Sequence, residues 1–254
     1  MAGEVAVSTQ VAELAGLLRE SRSTVVLTGA GISVPSGIPD FRSPGTGIWE
    51  NVDPFEVATI DAFHRDTKRF WDFYRPRFET LSDKSPNPAH EAVAELERRG
   101  LIRAVITQNV DRLHRKAGTQ RLVEVHGSIE HSVCLQCGGK VHIDRVVELV
   151  AQTGTPECLA CIAPLKPDVV LFGELLPEAA LGEAHDLAAE ADLMLCIGSS
   201  LEVYPVASLP GLTRRSGGRI ALVTQGPTPY DDEAEVKLDG DVVDELQAVL
   251  AAFQ

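Results

Sequence analysis

The chain has 254 residues, and its 37 acidic and 23 basic side chains leave a net charge of −14. That excess disfavours nonspecific binding to nucleic acid or acidic membranes and favours basic protein tails as partners. No run approaches the roughly 18 apolar residues of a membrane span, and Met1-Ala2-Gly3-Glu4 lacks the charged start and apolar stretch of a secretory signal, so a cytoplasmic location is expected.

In chain order, Val11, Leu14, Leu17 and Leu18 recur at helical spacing after Ser8, which predicts an amphipathic helix with a Ser N-cap. A strand over Thr24–Thr28 follows and runs into Gly29. Asn87 as N-cap, Pro88 at the first helical position, apolar Ala92, Val93 and Leu96, and Gly100 as terminator predict a second helix, with a strand over 102–106 behind it. Short apolar runs at 122–125, 169–172, 193–197 and 220–223 read as further strands, and 242–253 as a final helix. Short buried strands alternating with helices indicate an α/β fold, a Rossmann-like parallel sheet with helices on both faces.

Two stretches interrupt that alternation. Residues 41–85 hold most of the aromatics and read as irregular chain and short helices, while 127–168 hold four paired cysteines. With no repeat and no low-complexity linker, 1–254 reads as one unit. Its large part covers about 8–40, 86–126 and 169–254, and the two insertions form a small part, one helical and one a zinc-binding module.

A strand ending in Gly-x-Gly suits a phosphate site, because absent side chains admit backbone N–H groups to an anion. Here Val34 stands where the third fingerprint glycine belongs, which weakens a standard dehydrogenase reading, and the glycines alone fit a tight turn equally well. Asp40 and Arg42 add a ribose or amide partner and a bidentate pyrophosphate donor; the plainer alternative is a surface ion pair. Gln108, Asn109 and Asp111 follow a strand's carboxyl end, where open α/β sheets bind ligands, although helix capping explains one of the three. His126 also lies at a strand's carboxyl end and is the choice among seven histidines for general base. His114 reads as a packing residue behind the site, and His64, His90, His131, His142 and His185 as surface, capping or core groups. Cys134-Leu135-Gln136-Cys137 and Cys158-Leu159-Ala160-Cys161 place two thiolates on each of two turns, enough to close a tetrahedron around one structural zinc. Cys196 lies in an apolar run and reads as a small buried hydrophobe.

Taken in order, Gly29-Ala30-Gly31-Ile32-Ser33, Gly37-Ile38-Pro39-Asp40-Phe41-Arg42, Thr107-Gln108-Asn109-Val110-Asp111, His126-Gly127, the cysteine pairs, Val170-Leu171-Phe172-Gly173-Glu174 and Gly198-Ser199-Ser200 make the chain resemble the sirtuins, NAD-dependent protein-lysine deacylases, from Thr24 to about Val249. The resemblance implies that NAD is the co-substrate. Its pyrophosphate would lie near Gly29, Ala30, Gly31 and Arg42, and its adenosine ribose near Gly198, Ser199, Ser200 and the loop at Thr224. Gln108 would line the same pocket. Asn109 and Asp111 would hold the nicotinamide carboxamide with Ile38, and Phe41 would shield the reacting centre from water. His126 would deprotonate a ribose hydroxyl, with free lysine, nicotinamide and O-acyl-ADP-ribose as products. Val170, Phe172, Gly173 and Glu174 would pair as a strand with an acyl-lysine protein substrate. Tyr74 and Arg77 have the Tyr-x-x-Arg spacing of the branch that removes succinyl and malonyl groups, where a phenol and a guanidinium clamp a distal carboxylate. Pro76 between them opposes a shared helical face. Thr224 replaces an asparagine found in many sirtuins, which lowers the expected contact with adenosine. Deacetylation alone, ADP-ribosyl transfer to protein and a nonenzymatic nucleotide sensor are the rival functions.

Overall fold

A computed structural model describes residues 8–40 and 53–253; Phe41 and Arg42 lie outside the described residues. Ser8 Oγ accepts the Val11 N–H at 3.1 Å and opens α1 (Thr9–Glu20), whose Val11, Leu14, Leu17 and Leu18 are buried as their spacing predicts. All five residues of β1 (Thr24–Thr28) are buried, and a 3-10 helix over Ala30–Ser36 follows, ended by Gly37 at φ +75°. Three helices come next: α2 (Pro54–Val57), α3 (Ile60–Arg65) and α4 (Thr67–Ser82). The last has 16 residues and continues through Pro76, longer than the short helices expected there. Asn87 caps α5 (Pro88–Arg98).

The strand expected over 102–106 is β2 (Ala104–Thr107). Ile102 is buried without pairing, since the register begins at Val25 opposite Ala104. The chain continues through α6 (Leu113–Ala117), β3 (Leu122–Glu124), β4 (Gly127–Cys134), β5 (Lys140–His142), α7 (Ile143–Thr153) and β6 (Leu165–Val169). It ends with α8 (Glu178–Glu190), β7 (Leu193–Ile197), α9 (Leu209–Arg215), β8 (Arg219–Val223), β9 (Val236–Leu238) and α10 (Val242–Ala251).

Six strands form one parallel sheet in the order β3-β2-β1-β7-β8-β9. Counted within that sheet this is the 3-2-1-4-5-6 order of doubly wound dinucleotide-binding folds, whose switch point lies between the two strands that start the opposite windings. Here those strands are β1 and β7. Apolar residues of α1, α5 and α10 cover one face, and residues of α8 and α9 the other.

The smaller sheet, ordered β5-β4-β6, is antiparallel. The two interruptions of the sequence share its core: Phe63, Phe70, Trp71 and Phe78 pack with Ile129, Ile143, Val146 and Leu171. Trp71 Nε1 donates to the Leu165 carbonyl at 2.9 Å, which fastens α4 to β6. The run 169–172 is therefore not a strand of the parallel sheet. Val169 ends β6, and Phe172 exchanges hydrogen bonds with Ala58 and Ile60 in the helical segment. An apolar run reports burial, and burial does not say which sheet claims the segment. Among the described residues no helix is long and apolar enough to cross a membrane.

Candidate functional site at the sheet switch point

The glycines after β1 answer a packing demand. A Cβ on Gly31 would stand 2.7 Å from Gly198 Cα, and one on Gly29 2.8 Å from Ser199 Cβ. Gly198 follows β7 at φ +59°, and a Cβ there would meet Ile32 N at 2.3 Å. The Gly31 N–H donates to Gly198 O at 2.8 Å and the Gly29 N–H to Ile197 O at 3.0 Å. These two amides thus close the seam between the β1 and β7 loops. The missing side chains let the two loops meet across the switch point.

Polar groups from the end of β2 converge on this seam. Asn109 Nδ2 donates to Gly29 O at 2.9 Å and to Ser33 Oγ at 3.2 Å. Ser33 Oγ donates to Asp111 Oδ2 at 2.7 Å, and Asp111 Oδ1 accepts the Leu113 N–H at 2.8 Å. Asp111 accepts the N–H of the first residue of α6 and also faces Ser33, so a local turn role describes only half of its contacts. Burial raises the Asp111 carboxyl above its ordinary value, with the Ser33 and Leu113 hydrogen bonds pulling the other way. Gln108 Nε2 donates to Ser199 Oγ at 3.0 Å, joining the β2 and β7 ends. Ser200 beside it is exposed, and Ile38 and Asp40 are half-buried past the 3-10 helix. Thr224, at the end of β8, is 8% exposed and gives its N–H to Leu238 O.

His126 follows β3 and stands against the same loop: its Nδ1 lies 3.0 Å from Gln108 O. A carbonyl only accepts, so Nδ1 carries the hydrogen and Nε2 keeps its lone pair. Burial lowers the His126 pKa below 6.5, opposed by the hydrogen bond to Gln108 O. Burial favours the neutral imidazole, in which this hydrogen bond leaves Nε2 as the nitrogen with the free lone pair.

Behind these groups lies a buried layer that holds His114, expected as a packing residue behind the site, and His90, with Thr28 and Thr107 beside them. Thr28 Oγ1 donates to Thr107 Oγ1 at 2.8 Å and lies 3.0 Å from His114 Nε2, while Thr107 Oγ1 accepts the Asn109 N–H at 3.1 Å. His90 Nε2 stands 3.4 Å from Ser33 Oγ, and the His90 and His114 rings meet edge to face at 5.0 Å. Burial pushes His90 down to about 4 and His114 to about 3. Ser33 was visible inside a quoted motif; nothing in its spacing marked it as the hinge of the network.

The remaining sequence candidates sit beside the small sheet. Helix α4 carries Tyr74 and Arg77 through Pro76 in one helical run, so proline does not separate them. Tyr74 stacks on Phe70 with centroids 4.3 Å apart. Arg77 Nη1 donates to Phe73 O at 2.5 Å, and its guanidinium lies 3.5 Å over the Phe73 ring. In the 170–174 segment, the Val170 N–H donates to His126 O at 2.9 Å, and Gly173 has φ +89°. The exposed Phe172 ring faces Phe55 with centroids 5.6 Å apart. Glu174 Oε2 accepts the Leu171 N–H at 2.8 Å and Lys166 Nζ at 2.8 Å, and Lys166 also donates to Val169 O at 2.7 Å. Glu174 thus shapes the loop from within. Lys166 is 4% exposed, and nothing in the sequence around it marked it as buried. Removing one partner of a buried ion pair costs about 3–5 kcal/mol. Lys166→Met is expected near the lower end in a denaturant titration, since Glu174 retains a quarter of its exposure, and Lys166→Met/Glu174→Gln should recover part of the loss.

The four cysteines gather as predicted. Cys134 Sγ lies 3.4 Å from Cys161 Sγ and Cys137 Sγ 3.6 Å from Cys158 Sγ, with all four within 4.8 Å of one another. Thiolates bound tetrahedrally at about 2.3 Å from zinc stand about 3.8 Å apart. These separations fit one structural zinc, and all four thiols are free of disulfides. Cys196 is buried in β7, where desolvation pushes its thiol up and keeps it inert.

A 3-2-1-4-5-6 sheet with amide, carboxylate and imidazole groups gathered past the carboxyl ends of its strands is the arrangement of a dinucleotide-binding fold. The Sir2 family profile matches residues 29–205, and the chain belongs to the Sir2 family. An NAD-dependent protein deacetylase of Thermotoga maritima is 45% identical over 238 residues, covering 94% of this chain and 96% of its own. A solved Sir2 structure with a deacetylated p53 peptide and 3′-O-acetyl ADP-ribose is 44% identical with a TM-score of 0.91, covering 96% of this chain and 98% of that one. A Sir2 structure bound to a propionylated peptide is 43% identical with a TM-score of 0.88, again over 96% and 98%.

Proposed function

We propose that this chain is an NAD-dependent protein-lysine deacylase in which His126 is the general base. The observation that carries the reading is the Nδ1 hydrogen bond to Gln108 O, which leaves Nε2 unprotonated at the sheet's switch point. NAD supplies a ribose whose bond to nicotinamide can be broken by an acyl oxygen. The protein's part is to hold and to move a proton. Asn109 and Asp111, braced by Ser33 with Ile38 beside them, hold the carboxamide. Gly198, Ser199, Ser200 and Thr224 face the adenosine side, and Ala30 and Asp40 line the middle of the crevice. His126 Nε2 takes the proton from a ribose hydroxyl, which then attacks the acyl carbon. The segment 170–174 receives the backbone of an acyl-lysine substrate, whose basic surroundings suit a chain of net charge −14. One catalytic unit serves the reaction: the parallel sheet takes the dinucleotide, and the two insertions provide the acyl pocket and the metal module. Four free thiols in paired spacing support a reducing cytoplasm as its setting.

Acetyl groups are one substrate class, and succinyl and malonyl groups are the second. The continuity of α4 through Pro76 supports that second class, because it puts Tyr74 and Arg77 one turn apart. The propionylated peptide held by a similar chain supports a pocket that takes acyl groups beyond acetyl. Arg77 would exchange the Phe73 carbonyl, a neutral single acceptor, for a carboxylate that carries the opposite charge and can accept two parallel N–H bonds. Arg77→Met is expected to lower kcat/KM for succinyl-lysine by tenfold or more while changing acetyl-lysine less than about threefold. Mass spectrometry of one lysine peptide, offered acetylated, succinylated and malonylated with and without NAD, reads both classes. Equal losses in the variant would remove Arg77 from acyl selection. A gain of ADP-ribose mass on the peptide would favour ADP-ribosyl transfer.

A further inference from the structure

We propose a second metal site, on the small sheet, in which His131 and His142 bind one late first-row divalent cation such as nickel, copper or zinc. His131 in β4 and His142 in β5 are register partners in antiparallel pairing, so both imidazoles leave the same face. Their ring centroids lie 5.4 Å apart with planes at 83°. Two imidazoles bound to one cation at about 2.1 Å per bond place their centroids about 5 Å apart, close to the separation of these two rings.

Asp144 supplies the orienting group. Its Oδ2 stands 3.3 Å from His142 Nδ1, and a carboxylate that accepts Nδ1–H leaves Nε2 with its lone pair for a metal. The Asp144 N–H is also directed at Nδ1, at a long 3.4 Å, a weak contact to give up on changing tautomer. The site is separate from the cysteine cluster. Ser132 and Cys134 alternate to the opposite face of β4 and are buried, whereas His131 is half-buried and His142 exposed. Imidazole donors favour copper, nickel and zinc over magnesium and calcium, and water completes the coordination. A bound cation ties β4 to β5, and β4 begins at Gly127 directly after His126.

The test is calorimetric titration of nickel into the full chain with its cysteine zinc loaded, with zinc content measured before and after. The expected result is one nickel equivalent with zinc retained, and an affinity at least tenfold weaker in His131→Gln and in His142→Asn. Asparagine keeps an acceptor for the Asp144 N–H, so α7 stays capped and circular dichroism should be unchanged. Asp144→Asn should weaken nickel by about tenfold. No nickel equivalent in the wild type, zinc loss in place of nickel uptake, or uptake that survives both histidine substitutions would each overturn the proposal.

Discussion

His126→Ala is expected to lower kcat by about 10²–10⁴-fold, the range a positioned acid–base group contributes, while NAD affinity stays within a few-fold. The expectation rests on the separation of tasks in the structure. The His126 side chain meets the site at Gln108 O, whereas the switch-point seam is closed by Gly29, Gly31, Gly198, Asn109 and Ser199 without the imidazole. Stopped-flow or steady-state turnover on an acetylated peptide, with calorimetry for NAD, measures both halves. Wild-type turnover would take the base away from His126, and loss of NAD binding would mean that the imidazole builds the pocket.

The pH profile carries a second signature of the same residue. With neutral His126 as the proposed base, kcat/KM is expected to fall as pH drops through its folded pKa, which burial holds below 6.5. Acid also acts on the fold. His90 and His114 are held neutral with pKa values pushed to about 4 and about 3, against 6.5 for an accessible imidazole. The unfolded chain therefore binds more protons between those values. The stability they contribute is complete above pH 6.5 and is lost as pH falls toward 4 and then 3. Circular dichroism across the same pH range separates the two effects.

The parts of this molecule written locally were the parts legible in the sequence. Ser8 and Asn87 announced α1 and α5 because a cap is a contact between residues three positions apart or fewer. The cysteine pairs were legible for a similar reason, since each pair sits on one turn. The run 169–172 was misplaced because its partners, His126, Ala58 and Ile60, are distant in sequence and an apolar string does not name them. Pro76 suggested a break that tertiary packing overrides: Phe70, Trp71 and Phe78 on the buried side of α4 offset a proline on its exposed side. At the site, the motif residues were legible and their bracing was not. Ser33, Thr28 and Lys166 act through contacts that exist only after folding.

Removal of zinc is expected to abolish activity by dismantling the small sheet while the parallel sheet keeps its structure. Structural zinc contributes about 10–16 kcal/mol of apparent binding energy in small zinc-finger peptides, more than a small three-stranded sheet holds in reserve. The cysteine cluster shares its core with buried Leu149 and Leu165 beside the pairing of residues 132–134 with 165–167, so loss of the metal removes the cross-link at that end of β4 and β6. The consequence reaches His126 through the backbone. Gly127 pairs with Val169, and Val170 donates to His126 O, so fraying of β4 from β6 frees the segment that presents the imidazole. A Cβ on Gly127 would meet Asp168 O at 2.2 Å, which shows how closely the two chains run at that point. Chelation, or Cys134→Ser, should therefore weaken the near-ultraviolet signal of Trp71, whose indole is bonded to Leu165 O, and lower turnover together, with recovery of both on adding zinc to the chelated wild type. Full activity in a metal-free preparation would show that β4 and β6 hold His126 in place without the thiolate cluster.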